Sequence, residues 1–471
     1  MSSNPAAEQR PGLRDRASGQ IVAAVVIVAA ATAVRKLMFP WESDDYRYFL
    51  HPWYTHIADH GGFRALSDIG FSDYNVPYLY VLAALSHLPV QDLAGIKAVS
   101  TLFDLLTAYF AYRIVALRHP EGSWRPHMAG AVVLFLPTVM ANSGWWGQAD
   151  SVYSSFVVGA LWFVLCHRPW WACTFFGIAL AFKLQTVFVF PFLLVLLLTR
   201  RVPWRALLAV PAVYLLLDVP ALLVGADLGQ LLTVYSRQTG TYQTLSMNAP
   251  SVYLLFQPGD HADGVRRAGI LLTGAVVLAL VAWVVLRPAG RGPLRPGGWS
   301  RELTDTQIVL LATTSVVLVP FLLPSMHERY FFLADVLSVV AAFYLPGRLW
   351  YLPVLVQLAS AGTYLQYLAH DAARYTKVEL FGALMALAAV AAVRATAREF
   401  RRTPGRSRTG GQDGATAADG TAGTAGTAGT EGSTGADGRT GAHGTTGAHG
   451  TAAGPVRGAA PEGRVPAVER G

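Results

Sequence analysis

Long apolar segments recur along most of the chain, and they constrain its fold more than any other feature. Each segment is rich in Leu, Val, Ala and Phe and carries almost no charge. A helix needs about 20 consecutive apolar residues to cross a bilayer. The segments cover about residues 19–38, 96–117, 127–141, 151–166, 170–184, 187–198, 206–224, 268–286, 308–323, 330–345, 350–367 and 378–393. They predict an all-α protein that crosses a membrane many times.

The composition supports a membrane protein and excludes an ordinary soluble one. The 471-residue chain is 53% hydrophobic and only 14% charged, whereas soluble domains carry roughly 25% charged residues. The net charge of +8 does not indicate a nucleic-acid partner, because the arginines lie in short loops between apolar segments. Arg10, Arg14 and Arg16 precede the first segment without a signal-peptide cleavage pattern, so we expect a retained signal anchor.

Two segments decide the predicted topology. Residues 74–89 are apolar enough to suggest a span, and residues 170–198 form either one long helix or a tight pair. If the first lies along the outer surface and the second breaks near residues 183–186, the arginine-rich loops all face the cytoplasm, as the positive-inside bias requires. The self-consistent topology has about twelve transmembrane helices, with both chain ends in the cytoplasm.

The chain divides into three predicted regions. Residues 1–18 form a cytoplasmic N-terminal tail, and residues 19–395 form the membrane domain. Residues 396–471 consist largely of Gly, Thr and Ala repeats. Such a segment has no apolar face to bury, so we expect a disordered cytoplasmic tail.

The predicted topology places the unusual polar residues on the outer face. The first group is WESDDYRYF, directly after the first apolar segment, where Asp44 and Asp45 lie among aromatic residues. A carboxylate suits the role of general base when nearby rings or a second acid raise its proton affinity. The alternative is a pair of solvated acids beside an aromatic belt at the membrane interface.

The second group is NSGWWGQADS, in which two glycines allow a tight turn. Trp145 and Trp146 offer flat faces that could stack on a sugar or lie among lipid headgroups. Gln148 and Asp150 are natural partners for sugar hydroxyls, although Asp150 could instead cap the following helix.

The third group interrupts an apolar stretch with Lys183 and Gln185. A cation at membrane depth costs about 2.5–3.5 kcal/mol on insertion scales. Lys183 therefore either extends its ammonium to the interface or binds an anion such as a lipid phosphate.

The fourth group is MHERYFF, which contains His327, Glu328, Arg329 and Tyr330. A zinc-protease site is excluded, because it needs a second histidine four residues after the first and Phe331 stands there. Arginine suits a phosphate, since its planar fork can bond two oxygens at once. The alternative is an interfacial arginine that faces lipid headgroups.

The order of the motifs resembles a known group of proteins. The resemblance rests on the acid cluster followed by DYNVPYLY, Lys97, Asp104, WGQAD, GIALAFKLQ and MHERYFF. Over roughly residues 19–395 the chain resembles the bacterial membrane proteins related to GPI-anchor mannosyltransferases, within the GT-C superfamily. The resemblance implies a GT-C-type helical bundle with short surface helices in its first extracellular loop, one of them formed by residues 74–89.

The resemblance also implies a chemistry. The protein would be a glycosyltransferase that uses a polyprenyl-phosphate sugar, with its catalytic acid in the first outer loop; this role falls to Asp45, with Asp44 as the alternative. The leaving polyprenyl phosphate is already a stable anion, so one base suffices. Lys183, His327 and Arg329 are expected to hold the phosphate, and a single displacement predicts inversion. The sequence assigns no cofactor with certainty, and a divalent metal between Asp45 and the phosphate stays open.

The predicted function is transfer of a hexose from a polyprenyl-phosphate sugar to an envelope lipid or glycan, at the outer face of the plasma membrane. Mannose is favoured by the resemblance alone. The alternative is a transporter or flippase of lipid-linked saccharides. Such a protein should show paired broken helices in two related halves, whereas this sequence has no evident repeat and one clear break, at residues 183–186.

Overall fold

The computed structural model describes residues 13–241, 244–256, 262–286, 302–369 and 377–401. Its α-helices are α1 (Leu13–Met38), α2 (His51–Asp59), α3 (Val76–Ser86), α4 (Asp92–Ala116), α5 (Arg125–Phe135), α6 (Pro137–Met140), α7 (Asp150–Leu165), α8 (Pro169–Phe182), α9 (Phe190–Leu198), α10 (Trp204–Leu207), α11 (Ala209–Leu223), α12 (Leu228–Thr241), α13 (Val252–Phe256), α14 (Ala262–Val285), α15 (Asp305–Leu322), α16 (Phe332–Tyr344), α17 (Pro346–Leu349), α18 (Leu352–Leu368) and α19 (Val378–Arg401). Short π-helical turns cover Tyr46–Leu50 and Ala141–Trp146, and 3-10 turns cover Gly62–Ser67, Leu184–Val189 and Glu328–Phe331. Two short strands, β1 (Ser246–Met247) and β2 (Met326–His327), pair in parallel.

Six helices in the described part of the chain are long and apolar enough to cross a membrane, by length and composition. They lie at Ser18–Met38, Asp92–Ala116, Trp204–Leu223, Asp263–Val285, Asp305–Leu322 and Val378–Arg401. α5 and the following Pro137–Trp146 make a seventh if this pair, bent by 52°, counts as one span. The bend lies at Leu136, whose extended ψ of 130° is typical of a residue before proline. The prediction of an all-α multi-pass protein is confirmed, but the number of twelve spans is not.

The remaining apolar helices are too short to meet this test. Four of them have 10–17 residues and lie at Val76–Ser86, Asp150–Leu165, Pro169–Phe182 and Leu184–Leu198. α15 is the most enclosed of the long helices, with 83% of its apolar window buried, whereas α1 has only 11% buried. α15 therefore lies inside the bundle and α1 at its periphery.

The apolar stretch at residues 170–198 is broken, as predicted. α8 ends at Phe182, and Lys183 adopts an extended conformation with φ −155° and ψ 134°. A 3-10 turn and α9 then continue the chain. The extended residue redirects the backbone and leaves the lysine side chain at the polar end of the bundle.

The first loop carries several short helices between α1 and α4. α3 has 11 residues and is therefore about 16 Å long, too short to cross a hydrocarbon core of about 30 Å. Its Val76, Tyr78 and Leu82 are buried in a cluster that also contains Leu50 and Trp53. This small hydrophobic core fixes the loop against the bundle, in agreement with the prediction that residues 74–89 do not span.

Arginine-bearing loops and polar motifs lie at opposite ends of α16. At its C-terminal end, the Arg118 guanidinium lies 5.8 Å from the ring centroid of Tyr344, and the Tyr344 hydroxyl donates to the carbonyl of Ile114 at 3.1 Å. At its N-terminal end, α16 follows directly after the MHERYFF motif. The chain segments that the topology assigns to two sides are therefore separated in the fold.

The predicted domain boundaries are only partly covered. α19 continues to Arg401, past the boundary predicted at residue 396. Residues 1–12 and 402–471 lie outside the described residues, so the predicted tails stay predictions.

Candidate active site

Asp45 lies at the centre of a polar cluster built from distant parts of the chain. Its Oδ2 accepts hydrogen bonds from Trp146 Nε1 at 2.9 Å, from Arg329 Nη1 at 2.8 Å, and from Gln148 Nε2. Its Oδ1 accepts from the Tyr367 hydroxyl at 3.1 Å. The Asp45 side chain is 14% exposed, so it combines strong fixation with access from one side.

The end of α1 is tied down so that Asp45 reaches this cluster. The Lys97 ammonium donates to the carbonyls of Met38 and Phe39 at 3.2 and 3.1 Å, and also to that of Trp41. Met38 is the last residue of α1 and the other two residues follow it closely in the chain, where backbone carbonyls lack the donors of a continuing helix. The Ser43 hydroxyl adds a hydrogen bond to a carbonyl of the WGQAD motif at 2.7 Å. Lys97 therefore acts as a helix cap that positions the acidic loop.

Asp104 has a similar structural role about two turns further along α4. It is fully buried and forms an ion pair with Arg35 Nε at 2.8 Å. It also accepts from the Ser143 hydroxyl at 2.5 Å. These contacts join α1 and α4 to the π-helical turn that ends at Trp146, one of the partners of Asp45.

A chain of alternating charges extends from Asp45 through Arg329 to Asp150 and Lys183. Arg329 Nε lies 3.9 Å from Asp150 Oδ2, and Lys183 Nζ donates to Asp150 Oδ1 at 2.5 Å. Asn142 holds the second oxygen of Asp150 at 2.9 Å. The four charges balance, which makes their burial tolerable.

Asp150 does not cap the following helix, which was the alternative role considered for it from the sequence. The N-cap of α7 is Ala149, which makes no side-chain capping bond, and Asp150 is the first helical residue. Its carboxylate instead binds Lys183, and it lies where the helix dipole favours a negative charge.

The two tryptophans differ in their exposure, and only Trp146 lacks a face that could stack on a sugar. Trp146 is fully buried, with Tyr367 stacked on it at 4.6 Å and Tyr364 edge-on at 5.1 Å. Its indole N–H holds Asp45, so Trp146 positions the acid and has no exposed face for sugar stacking. Trp145 is half-buried and contacts Trp41 edge-on at 5.6 Å.

The MHERYFF motif is held by β2, which pairs with β1, and by the 3-10 turn that follows. Burial and the positive charges of Arg329 and Lys183 lower the pKa of His327 well below its usual value. His327 is therefore neutral at pH 7, which leaves hydrogen bonding as the way in which it could hold a phosphate. It can still form hydrogen bonds, and its ring contacts Tyr330 at 5.2 Å.

The carboxyl of Glu328 is almost completely buried, with 2% of its side chain exposed. Burial raises its pKa to about 7, although the nearby Arg329 guanidinium acts in the opposite direction. Its Oε1 lies 3.9 Å from Arg329 Nη1 and has no hydrogen-bond partner among the described residues. Glu328 thus exchanges its proton near neutral pH.

A cavity of about 350 Å³ opens beside the cluster, within the range of ligand sites. The predicted site residues that line it are Asp45, Gln148, Lys183, Gln185, His327, Arg329 and Tyr330. Those that do not line it are Asp44, Trp145, Trp146, Asp150 and Glu328. Its apolar lining residues include Phe49, Trp53, Phe188, Ile270, Leu323 and Met326. A lining that contains both charged and apolar side chains suits an amphiphilic ligand.

Several site residues were missed by the sequence reasoning. Tyr367 bonds Asp45 directly, but a tyrosine near the end of an apolar segment looks like part of an interfacial belt. Tyr74 donates to Gln148 at 3.3 Å and lies under the Lys183 ammonium at 5.5 Å; its motif DYNVPYLY was noted without a role. Arg266, on α14, also lines the cavity. Its place there follows from the packing of α14 and could not be predicted from the sequence.

Most of the predicted site residues are thus brought together around Asp45 and Arg329, while their roles in catalysis stay predictions. In the ranges that the structure describes, no group of three or more His, Cys, Asp or Glu could hold a metal ion. A divalent metal between Asp45 and the donor phosphate therefore stays a prediction.

The family model "Glycosyltransferase family 87" matches residues 71–314, just over half of the chain. Among solved structures, the chain is similar to ArnT from Cupriavidus metallidurans bound to undecaprenyl phosphate, at 13% identity and a TM-score of 0.48. That match covers 80% of this chain and 77% of ArnT. No curated protein matches the sequence.

Proposed function

The chain belongs to glycosyltransferase family 87, and from this premise we propose that it transfers a hexose from a polyprenyl-phosphate sugar to an envelope lipid or glycan. The expected class, a membrane glycosyltransferase, is confirmed. A special relation to GPI-anchor mannosyltransferases stays a prediction. The observation that carries the proposal is the contact of Asp45 with Arg329 at 2.8 Å, in the lining of a cavity that contains both charged and apolar side chains.

The shape of the cavity supports a lipid-linked donor. Ile270 on α14 lines it, and the adjacent Leu271 and Leu272 are exposed on the surface of a candidate span. An isoprenoid chain could therefore enter from the bilayer along α14. A nucleotide sugar would gain nothing from apolar lining residues in this position.

Arg329 is the proposed contact for the donor phosphate. Its Nη1 binds Asp45, while its Nε is buried and has no hydrogen-bond partner among the described residues. The Arg329 side chain lines the cavity, so its other N–H groups can donate charge-assisted hydrogen bonds to a phosphate oxygen. Lys183, which is paired with Asp150, and Arg266 add two further cations to the lining.

Asp45 is the proposed general base. It would accept the proton of the acceptor hydroxyl as that oxygen attacks the anomeric carbon and the bond to the polyprenyl phosphate breaks. The phosphate leaves as a stable anion, so no general acid is needed. When the phosphate shares Arg329, the hold of the guanidinium on Asp45 weakens and the carboxylate can turn to the acceptor. A single displacement inverts the configuration.

The proposed location of the site is the outer face of the plasma membrane. The arginine-bearing loops lie at the opposite end of the bundle, which is the cytoplasmic end under the positive-inside bias. Arg47→Cys, in a Cys166→Ser background, should react in intact cells with a membrane-impermeant maleimide. Arg205→Cys should react only after permeabilisation. The reverse pattern would place the site in the cytoplasm.

The donor is tested with protein in nanodiscs and a panel of polyprenyl-phosphate hexoses, with mannose as the proposed sugar on the resemblance alone. We expect transfer from a polyprenyl-phosphate sugar with inversion, measured by mass spectrometry and by NMR of the new anomeric proton. Transfer from a nucleotide hexose alone would refute the proposed donor. Transbilayer movement of the lipid-linked sugar without transfer would instead support the transporter alternative.

A further inference from the structure

A second cavity lies far from Asp45, where α17, α18 and α19 meet. Its volume is about 370 Å³. Three arginines, Arg348, Arg394 and Arg398, line it together with Tyr351, and its other lining residues are all apolar. The family assignment gives this cavity no role, and none of its residues belongs to the site described above.

The three arginines form a cluster of positive charge that the described protein does not neutralise. Arg394 and Arg398 lie four residues apart on α19 and therefore on one face of the helix, and Arg348 approaches from α17. All three are exposed. In the described part of the chain no side-chain hydrogen bond or ion pair engages their guanidinium groups. Like charges held in one concave site favour an anion between them.

The cavity changes from basic to apolar along α19. Leu387 and Val390 also line it, and they are 57% and 53% exposed. Leu387 precedes Arg398 by eleven residues, which corresponds to about 16 Å along the helix axis. A phosphate at the arginines would thus be followed by an apolar track of the length of several methylene groups. An amphiphile with an anionic head matches this order, whereas a free anion uses only one end of it.

The position of the cavity excludes the donor phosphate as its ligand. α16 separates the Arg329 turn from α17, and its 13 residues correspond to about 20 Å. α18 runs back along α16, from the cavity residue Leu355 to Tyr367, which bonds Asp45. The two sites therefore lie at opposite ends of the same helix pair.

We propose that this cavity binds the phosphate of an anionic phospholipid, with an acyl chain along Leu387 and Val390. The guanidinium groups donate charge-assisted hydrogen bonds to the phosphate oxygens. The inner leaflet of a membrane supplies such lipids, and basic pockets between helices bind them there. The site does not depend on the proposed sugar donor.

The test uses the full-length protein in nanodiscs of phosphatidylcholine with a titrated fraction of phosphatidylglycerol. Lipid that remains bound is measured by native mass spectrometry after release into detergent. The variant with Arg348→Gln, Arg394→Gln and Arg398→Gln is compared with wild type. Each basic residue near an anionic surface contributes about fivefold to binding, so we expect roughly 100-fold weaker retention of phosphatidylglycerol.

The matched control is Arg205→Gln, because Arg205 is exposed but lies outside the cavity. It should retain phosphatidylglycerol as wild type does. The single variant Arg394→Gln, at an exposed position, should weaken the retention of phosphatidylglycerol about fivefold. It replaces the triple variant in the test if the triple variant fails to fold. Circular dichroism and sugar transfer should be unchanged in all folded variants.

Inorganic phosphate at millimolar concentration separates the two sources of the anion. Phosphatidylglycerol retention that is insensitive to inorganic phosphate supports a lipid site. Displacement of the lipid by inorganic phosphate would overturn the lipid proposal in favour of a free-anion site. Equal retention in the wild type and in the arginine variants, with no preference for phosphatidylglycerol over phosphatidylcholine, would overturn it as well. Neither result would affect the proposed sugar transfer.

Discussion

Replacing Asp45 by asparagine should stop sugar transfer and leave the geometry of the site nearly intact. The amide oxygen can take the place of Oδ2, which accepts from Trp146, Gln148 and Arg329. The amide NH₂ can take the place of Oδ1 and donate to the hydroxyl of Tyr367, which then acts as an acceptor. The substitution thus removes one charge and one basic oxygen but keeps four hydrogen-bond contacts.

The expected loss of rate follows from the missing base. A positioned general base contributes about 10²–10⁴-fold, which corresponds to roughly 3–5 kcal/mol of activation free energy. The stability cost should be smaller. Breaking a fully buried ion pair costs about 3–5 kcal/mol. Here Asp45 and Arg329 are 14% and 13% exposed, and Arg329 keeps Asp150 at 3.9 Å. We therefore expect a decrease of roughly 1–3 kcal/mol in the free energy of unfolding.

The assay compares initial transfer rates in proteoliposomes at saturating donor, and thermal unfolding followed by size-exclusion chromatography checks the fold. Asp44→Asn is the matched control, because Asp44 precedes Asp45 directly but does not line the cavity. It should change the rate by less than about threefold. If Asp45→Asn keeps more than about a tenth of the wild-type rate, or Asp44→Asn loses as much as Asp45→Asn, the base assignment is refuted.

Three further predictions follow from contacts around the cluster. Arg329→Lys keeps the positive charge but loses the planar guanidinium that can bond two oxygens, so kcat/KM for the donor should fall about 10- to 100-fold while KM for the acceptor stays constant. Equal effects on both substrates would contradict a phosphate contact. Glu328 has its pKa raised from 4.5 to about 7 by burial, so the native protein binds this proton more tightly than the unfolded chain does. Stability should therefore fall as pH rises from 4.5 to about 7, by roughly 3 kcal/mol in total, and Glu328→Gln should flatten this dependence in thermal unfolding scans. Lys97→Met removes the donor that caps the end of α1, so it should lower the free energy of unfolding by about 1–3 kcal/mol and also lower the transfer rate. An unchanged rate would contradict the idea that Lys97 positions the acidic loop.

Part of the candidate site could be predicted because its chemistry is visible in short stretches of sequence. Acids directly after an apolar segment, or a lysine inside one, are costly in a membrane. Asp45 and Lys183 can therefore be recognised as candidate functional residues from the sequence. The same cost, with the arginine-rich loops, predicted the break that the structure shows at Lys183.

Other features depend on contacts between residues far apart in the chain. Tyr367 bonds Asp45 across 322 positions, and Arg329 does so across 284. The neutrality of His327 results from burial and from the charges of Arg329 and Lys183. Trp146 looked like a sugar platform, because its burial under Tyr367 cannot be read from the neighbouring residues.

The sequence by itself determined that this protein is an apolar helical bundle in a membrane, with its reactive side chains gathered towards one end. The reason is that hydrocarbon enforces helices and makes every charge costly, so the pattern of apolar and charged residues leaves few arrangements. The tertiary structure alone decided which charge meets which. Helices that are distant in sequence pack side by side, and this packing pairs Asp45 with Arg329 and Asp150 with Lys183. It also leaves three arginines around the cavity at the opposite end of α16 without a partner among the described residues.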